Sequence, residues 1–283
     1  MRKYGRMFSK KRGIYTMEDT KILQMISNNP SVIKTMKDPT EEMKLLALSR
    51  KGNLIQYIEN PTIEMENTAL ENDINAIKYI ENPTQKMMKK AISKGWNYLS
   101  DIKNPTDFII REAINESGWA IKYVKNPSLE IQLLAIRKNY DAIEYIENPD
   151  ESVQIEAVKY SYEALRYIDK PCIKAQEIAV KENDKAIRFI KGLSKENKLE
   201  FLKINILVIN HIASEVTKED IEPILKEVLD DEATTDKYIR DFMNCSVIDK
   251  NSRVIGLDKM MLIYNFGSSK AKMIAVDEKL KTV

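Results

Sequence analysis

The stretch NPSLEIQLLAIRKNYDAIEYIE, residues 126–147, is one copy of a pattern that runs through most of the chain. Its proline, Pro127, belongs to a series at Pro39, Pro61, Pro83, Pro105, Pro127, Pro149 and Pro171, each 22 residues after the last; only Pro30 and Pro223 fall outside it. A fixed period of this length is the signature of a repeat array. Counting from proline as position 1, position 9 is always alanine (Ala47, Ala69, Ala91, Ala113, Ala135, Ala157, Ala179) and position 10 is Leu, Ile or Val. Positions 5, 17 and 20 are almost always large and apolar, as in Ile131, Ile143 and Ile146. These spacings suit one face of a helix and not an alternating strand.

The residues between the apolar positions mark boundaries. The residue before each proline, usually Asn, is pushed out of the α region. Thr or Ser then follows in a place to cap a helix N-terminus, as at Thr40 and Thr62. Positions 13 and 14 hold Gly52, Asp73, Gly95, Ser117-Gly118, Asn139, Ser161 and Asn183, residue types that tolerate the left-handed conformation ending a helix. Each repeat therefore reads as a helix of roughly ten residues, a tight turn and a second helix of roughly seven. A single kinked helix keeps the same apolar face in phase, but a recurring breaker favours two. One repeat buries too little to fold alone, so neighbours must stack. The alanine column lets adjacent helices approach closely.

On these residues the chain resembles the short HEAT-like helical repeat proteins common in bacteriophage and low-GC bacterial genomes. The resemblance covers about residues 17–214. It implies an elongated right-handed α-solenoid of about nine two-helix units, used as scaffolding. Leucine-rich repeats have a similar period, but their strand pattern is absent.

Of the 283 residues 31% are charged, with a net charge of only +2, which gives no general bias towards nucleic acid. No apolar run reaches membrane-spanning length, and the N-terminus is basic without an apolar signal core. Cys172 and Cys245 are the only cysteines and make no disulfide framework, which fits a reducing, cytoplasmic compartment.

The chain divides by eye into a basic arm (1–16), the repeat region (17–214) and a C-terminal cap (215–283). Arg2, Lys3, Arg6, Lys10, Lys11 and Arg12 make the arm +6, leaving −4 for the rest, with Tyr4, Phe8 and Tyr15 interleaved. Such an arm can lie on nucleic acid or an acidic partner, or remain a solvated terminus. Residues 17–38 form a degenerate first unit with Met25, Ile26, Val32, Ile33 and Met36 in core slots. Leu193 to Ser214 forms a last one with Phe201, Leu202, Val208, Ile209 and Ile212. Beyond 215, helices are expected over Thr217–Leu229 and Ala233–Met243. Strands are expected over Ser246–Ile248, Arg253–Leu257, Lys259–Phe266 and Lys270–Val276, with turns at Asp249-Lys250-Asn251 and Gly267-Ser268-Ser269, giving a small α+β cap.

Catalytic material is thin. His211 is the only histidine and lies between core positions Ile209 and Ile212, where a satisfied structural role is expected. One His and two distant Cys supply no zinc site, and no phosphate loop, G-x-S-x-G or H-E-x-x-H motif occurs. Asp230, Asp231 and Glu232 read as a solvated turn between helices. No cofactor is called for.

Aromatic residues give the better lead. Trp96, Trp119, Tyr140 and Tyr162 stand at position 14 or 15 of four successive repeats and include both tryptophans of the protein. Placed beside the turn, they are expected at a rim, as a binding hot spot would be, unless they pack over the neighbouring turn. A second stripe at position 19 (Tyr57, Tyr79, Tyr123, Tyr145, Tyr167, Phe189, with Asp101 the exception) reads as half core. Lys78, Lys122, Arg166 and Arg188 make it partly basic, with Glu59, Glu81 and Glu144 interrupting. The leading expectation is a non-catalytic solenoid that binds another protein, as a phage virion component or an inhibitor of a host factor. The rival is a nucleic-acid binder using the basic arm and the interrupted stripe. A third is an enzyme similar to HEAT-like DNA glycosylases, with Asp101 near Trp96 and Trp119 as its acid.

Overall fold

A computed structural model describes residues 17–281. They divide into two compact units, 17–124 and 125–281. In the first, α1 (Met17–Asn28), α2 (Glu41–Arg50), α3 (Ile63–Asn72), α4 (Gln85–Ile92) and α5 (Asp107–Glu116) alternate with 3-10 helices. These short helices are Pro30–Thr35, Gly52–Tyr57, Ile74–Tyr79, Trp96–Asp101 and Gly118–Tyr123. In the second, α6 (Leu129–Lys138), α7 (Glu151–Tyr160), α8 (Ile173–Glu182) and α9 (Lys195–Ile204) alternate with Tyr140–Tyr145, Tyr162–Tyr167, Asp184–Phe189 and Ile206–Val208. The short α10 (Ile209–Ile212), α11 (Lys218–Asp230), α12 (Asp236–Asn244), α13 (Lys259–Phe266) and α14 (Ser269–Leu280) follow.

Each repeat is thus an α-helix and a 3-10 helix, two helices and not one kinked one. The second is a six-residue 3-10 helix where a seven-residue helix was expected. Its brevity fits the rule that 3-10 geometry is used in short pieces. Within each unit the 3-10 helices contact one another in succession, and α-helices such as α2 and α3, or α6, α7 and α8, pack side by side. The core lies between these rows. Met65, Ala69, Leu70, Ala76, Ile77 and Ile80 fill it in one repeat, and the alanine column from Ala47 to Ala179 is fully enclosed. The consecutive packing is that of a helical repeat solenoid. In the degenerate first repeat Ile26 and Ile33 are buried, while Met25 is exposed.

The helix starts follow the expected chemistry. Thr40, Thr62, Thr84, Thr106 and Ser128 each accept the backbone N–H three residues on, at 3.3–3.4 Å. The helix ends do not. Position 13 is extended, not left-handed, in most repeats: φ is −142° at Asp73, −160° at Ser161 and −151° at Asn183, with Gly95 at 158° the exception. Its residue types serve the next helix instead. Asp73, Ser161, Asn183 and Asn205 cap the 3-10 helix by accepting the N–H two residues on. Their backbone N–H groups meanwhile close the preceding α-helix on the carbonyls of Ala69, Ala157, Ala179 and Phe201. The left-handed residue sits at the junction between repeats: Asp38, Asn60, Asn104, Asn126 and Asn148, each just before proline, have φ between 47° and 53°. Asn and Asp adopt this region at the least cost among non-glycine residues.

The C-terminal cap departs most from expectation. Lys259–Phe266 and Ser269–Leu280 are helices, not strands. Asp258 and Ser268 cap them by accepting the N–H groups of Met261 and Ala271 at 3.1 Å. Their buried residues fall at helical spacing, Ala271, Ile274 and Ala275 in the second. Among the described residues only Ile248–Asp249 and Ile255–Gly256 pair, as β1 and β2, a two-residue parallel bridge. Helices α11 and α12 form close to the expected bounds, with Thr217 capping the first and Pro223 inside it.

Candidate functional site

The 3-10 row exposes one recurrent surface in each unit. The fifth and sixth residues of each short helix, repeat positions 18 and 19, lie on it with the aromatic residues that start the helix. In the first unit, Trp96 of one repeat packs on Tyr123 of the next, with ring centroids 6.2 Å apart and planes tilted by 32°. Lys122 lies between, its Nζ 5.2 Å from the Trp96 ring and 4.8 Å from Tyr123. Trp119 is 41% exposed. In the second unit Tyr162 stacks on Phe189 at 6.3 Å, and the Arg166 guanidinium lies 4.8 Å from the Phe189 ring. Both pairs join position 14 of one repeat to position 19 of the next. The rim and the stripe, separate in the sequence, are therefore one surface.

Further cations rest on rings elsewhere in the row. Lys34 Nζ stands 4.0 Å from the Tyr57 ring, which is 51% exposed, and Lys78 stands 5.0 Å from Tyr79. Such contacts hold a flexible ammonium group in place at modest gain. Lys34 was not singled out in the sequence, because its repeat lacks the leading proline. Its position 18 register was the available signal. Tyr140 is half-buried and Tyr145 is exposed, beside Asp141 and Glu144 of the same short helix. Asp101, the aspartate at position 19, is half-buried at the end of Trp96–Asp101. The basic residues Arg2, Lys3, Arg6, Lys10, Lys11 and Arg12 lie outside the described residues.

His211 is satisfied, as its core position predicts. Its Nε2 is 2.6 Å from the Asp184 carboxylate, and its Nδ1 accepts a hydrogen bond from Arg188 Nε at 3.2 Å. With Nδ1 accepting from arginine, the ring proton belongs on Nε2, facing the carboxylate. The trio ties α10 to the short helix Asp184–Phe189 of the preceding repeat. Asp230, the last residue of α11, and Asp231 and Glu232 in the turn that follows are exposed. Asp231 closes that turn by accepting the Ala233 N–H, and Glu232 accepts the N–H of Ser269. Among the described residues no group of three or more His, Cys, Asp and Glu side chains is arranged to hold a metal ion. No helix among them is long and apolar enough to cross a membrane.

The chain matches no protein-family model, no curated protein and no solved structure.

Proposed function

We propose that this chain is a non-catalytic repeat protein of the short HEAT-like kind, and that it binds another protein through the aromatic edge of its 3-10 rows. The observation that carries the reading is the pairing of Trp96 with Tyr123 and of Tyr162 with Phe189, each with a basic side chain laid on a ring. Trp, Tyr and Arg are the side chains that dominate interface hot spots. Rings fixed by a neighbour lose little freedom on binding. Charges of both signs share the edge: Asp141, Glu144 and Glu163 stand among the rings of the second unit. That mixture suits a protein surface better than a phosphate backbone, which asks for continuous positive charge.

In this reading the array is a right-handed solenoid of about nine repeats, working in the cytoplasm or in a virion as a phage-encoded structural part or a binder of a host factor. Affinity capture from the native cell with the wild-type chain and a Trp96→Ala/Trp119→Ala variant, followed by mass spectrometry, tests it. Proteins held by the first and lost by the second are the expected result. The second reading, nucleic-acid binding, draws on Lys122 and Arg166 set against rings, since stacking plus cations is how single strands are held. Its mark is an affinity that falls steeply with salt, with a slope that deleting residues 1–13 flattens.

A further inference from the structure

The two 3-10 rows differ in charge, and the difference bears on the partner. In the first unit the fifth residue of successive short helices is Lys34, Gln56, Lys78, Ser100 and Lys122, all exposed. Lysine and a neutral residue alternate. The sixth residues are Thr35, Tyr57, Tyr79, Asp101 and Tyr123, so these two positions offer three ammonium groups against one carboxylate, with Glu59 and Glu81 two residues beyond Tyr57 and Tyr79. Each ammonium group lies within 4.0–5.2 Å of a ring centroid. In the second unit the same place holds Glu144, Arg166 and Arg188, so the alternation of lysine with a neutral residue is confined to the first.

We propose that the 3-10 row of the first unit is a docking track for an extended acidic segment of a partner protein, with carboxylates on Lys34, Lys78 and Lys122 and apolar side chains against Tyr57, Tyr79 and Trp96. The proposal rests on the protein-binding reading above and adds the partner's chemistry. Charge complementarity selects an acidic occupant. The alternation selects a peptide over a nucleic acid: a strand carries a phosphate at every nucleotide, whereas Gln56, Ser100 and Asp101 leave alternate turns without a cation. Packed helices lie about 8–10 Å apart, which sets alternate lysines about 16–20 Å apart, the reach of about five or six residues of extended chain. A matching ligand has an acidic residue at that interval and uncharged residues between.

The full chain is tested with three fluorescent probes. One is an extended peptide of Val, Thr and Ser with a glutamate at about every sixth position, one is its glutamine twin, and one is an oligothymidylate of similar length. Binding is read by anisotropy and by tryptophan emission, since both tryptophans lie on this edge. The glutamate peptide is expected to bind at least about tenfold tighter than its twin. The exposed-site variant Lys34→Gln/Lys78→Gln/Lys122→Gln is expected to abolish that difference, while Lys138→Gln/Lys159→Gln/Lys181→Gln leaves it intact. Equal binding of the two peptides, no binding of any probe, or preferential binding of the oligothymidylate overturns the proposal. If the first triple variant still captures the protein that Trp96→Ala/Trp119→Ala loses, the acidic track is wrong while the protein-binding reading stands.

Discussion

Gln154 joins its own repeat to the next through Cys172: its Oε1 accepts the Cys172 backbone N–H at 2.8 Å, while its Nε2 donates to the Pro149 carbonyl at 2.9 Å. The side chain is buried, and both of its ends are used. Gln132 and Gln176 occupy the same position and donate to Pro127 and Pro171, but the buried Oε1 of Gln132 has no partner. Gln154→Leu strands a donor and an acceptor, so it is expected to cost about 2–6 kcal/mol, at about 1–3 kcal/mol for each unsatisfied group. Gln132→Leu strands only the Pro127 carbonyl and removes an orphan acceptor, so it is expected to cost less, under about 3 kcal/mol for the one group left unsatisfied. Urea unfolding of the two variants side by side checks the order; equal losses contradict it.

Gly52 marks a close approach of two repeats. A Cβ there would lie 2.3 Å from the Ala69 carbonyl oxygen and 3.0 Å from the Asp73 nitrogen, both backbone atoms. Asn72 fastens the same spot, accepting the Gly52 N–H at 2.7 Å and donating to the Ser49 carbonyl at 2.9 Å. Gly52→Ala must push the neighbouring repeat away, and a loss of about 2 kcal/mol or more is expected, within the usual range for overpacking. Gly192 has φ of 68° and open space around it, so Gly192→Asn, which accepts that backbone conformation, is expected to melt close to wild type.

The repeat was legible because its most repetitive residues are those with one physical task. Proline, the capping Thr and the enclosed Ala each admit few substitutes, so the period and the helix starts survive in the sequence. Position 13 was misread because Asp, Ser and Asn both tolerate left-handed backbone and cap helices. Only the hydrogen bonds of Asp73 and Asn183 distinguish the two uses. The cap helices are hidden in the sequence because Lys-Met-Met-Leu-Ile-Tyr-Asn-Phe at 259–266 is apolar enough for a strand, and only the capping of Asp258 and Ser268 marks their starts. The aromatic edge was half legible. A one-residue shift sets Trp96 at position 14, against Tyr123, and Trp119 at position 15, 41% exposed, and no spacing rule resolves that.

Acid should loosen the cap. Lys281 donates to Glu278 at 2.8 Å and Asn244 donates to it at 3.0 Å, while Arg240 of α12 pairs with both Glu278 and Asp277. These bonds, Lys281 and Asn244 foremost, hold the Glu278 carboxyl down from the usual 4.5 to about 2. A carboxyl whose pKa is lower in the folded chain stabilises the fold above its unfolded value. That contribution fades as pH falls towards the folded value. Stability of the α12–α14 packing is therefore expected to drop between about pH 4.5 and pH 2. Glu278→Gln should be less stable than wild type at neutral pH and show a shallower acid limb. Melting curves over this pH range read both effects, and parallel limbs in the two proteins rule the mechanism out.

The last expectation separates the edge from the core. Trp96→Ala removes a ring pair worth about 0.5–1.5 kcal/mol beyond its buried area, and Trp119→Ala acts at a side chain already 41% exposed. The double variant should thus lose only about 1–2 kcal/mol of stability, as partly exposed sites do. Ile121 lies in the same short helix as Trp119 but is 1% exposed, and Ile121→Ala should lose about 2–5 kcal/mol through the cavity it opens. Binding of a captured partner should rank them the other way. The tryptophan pair should cost about 2 kcal/mol or more, the hot-spot threshold. Ile121→Ala, assayed below its melting temperature, should bind nearly as wild type, because its side chain does not reach the surface. Unfolding and titration calorimetry on the same preparations give both orders. A double tryptophan variant that melts below Ile121→Ala makes the rings core, and one that melts normally and binds normally moves the interface elsewhere.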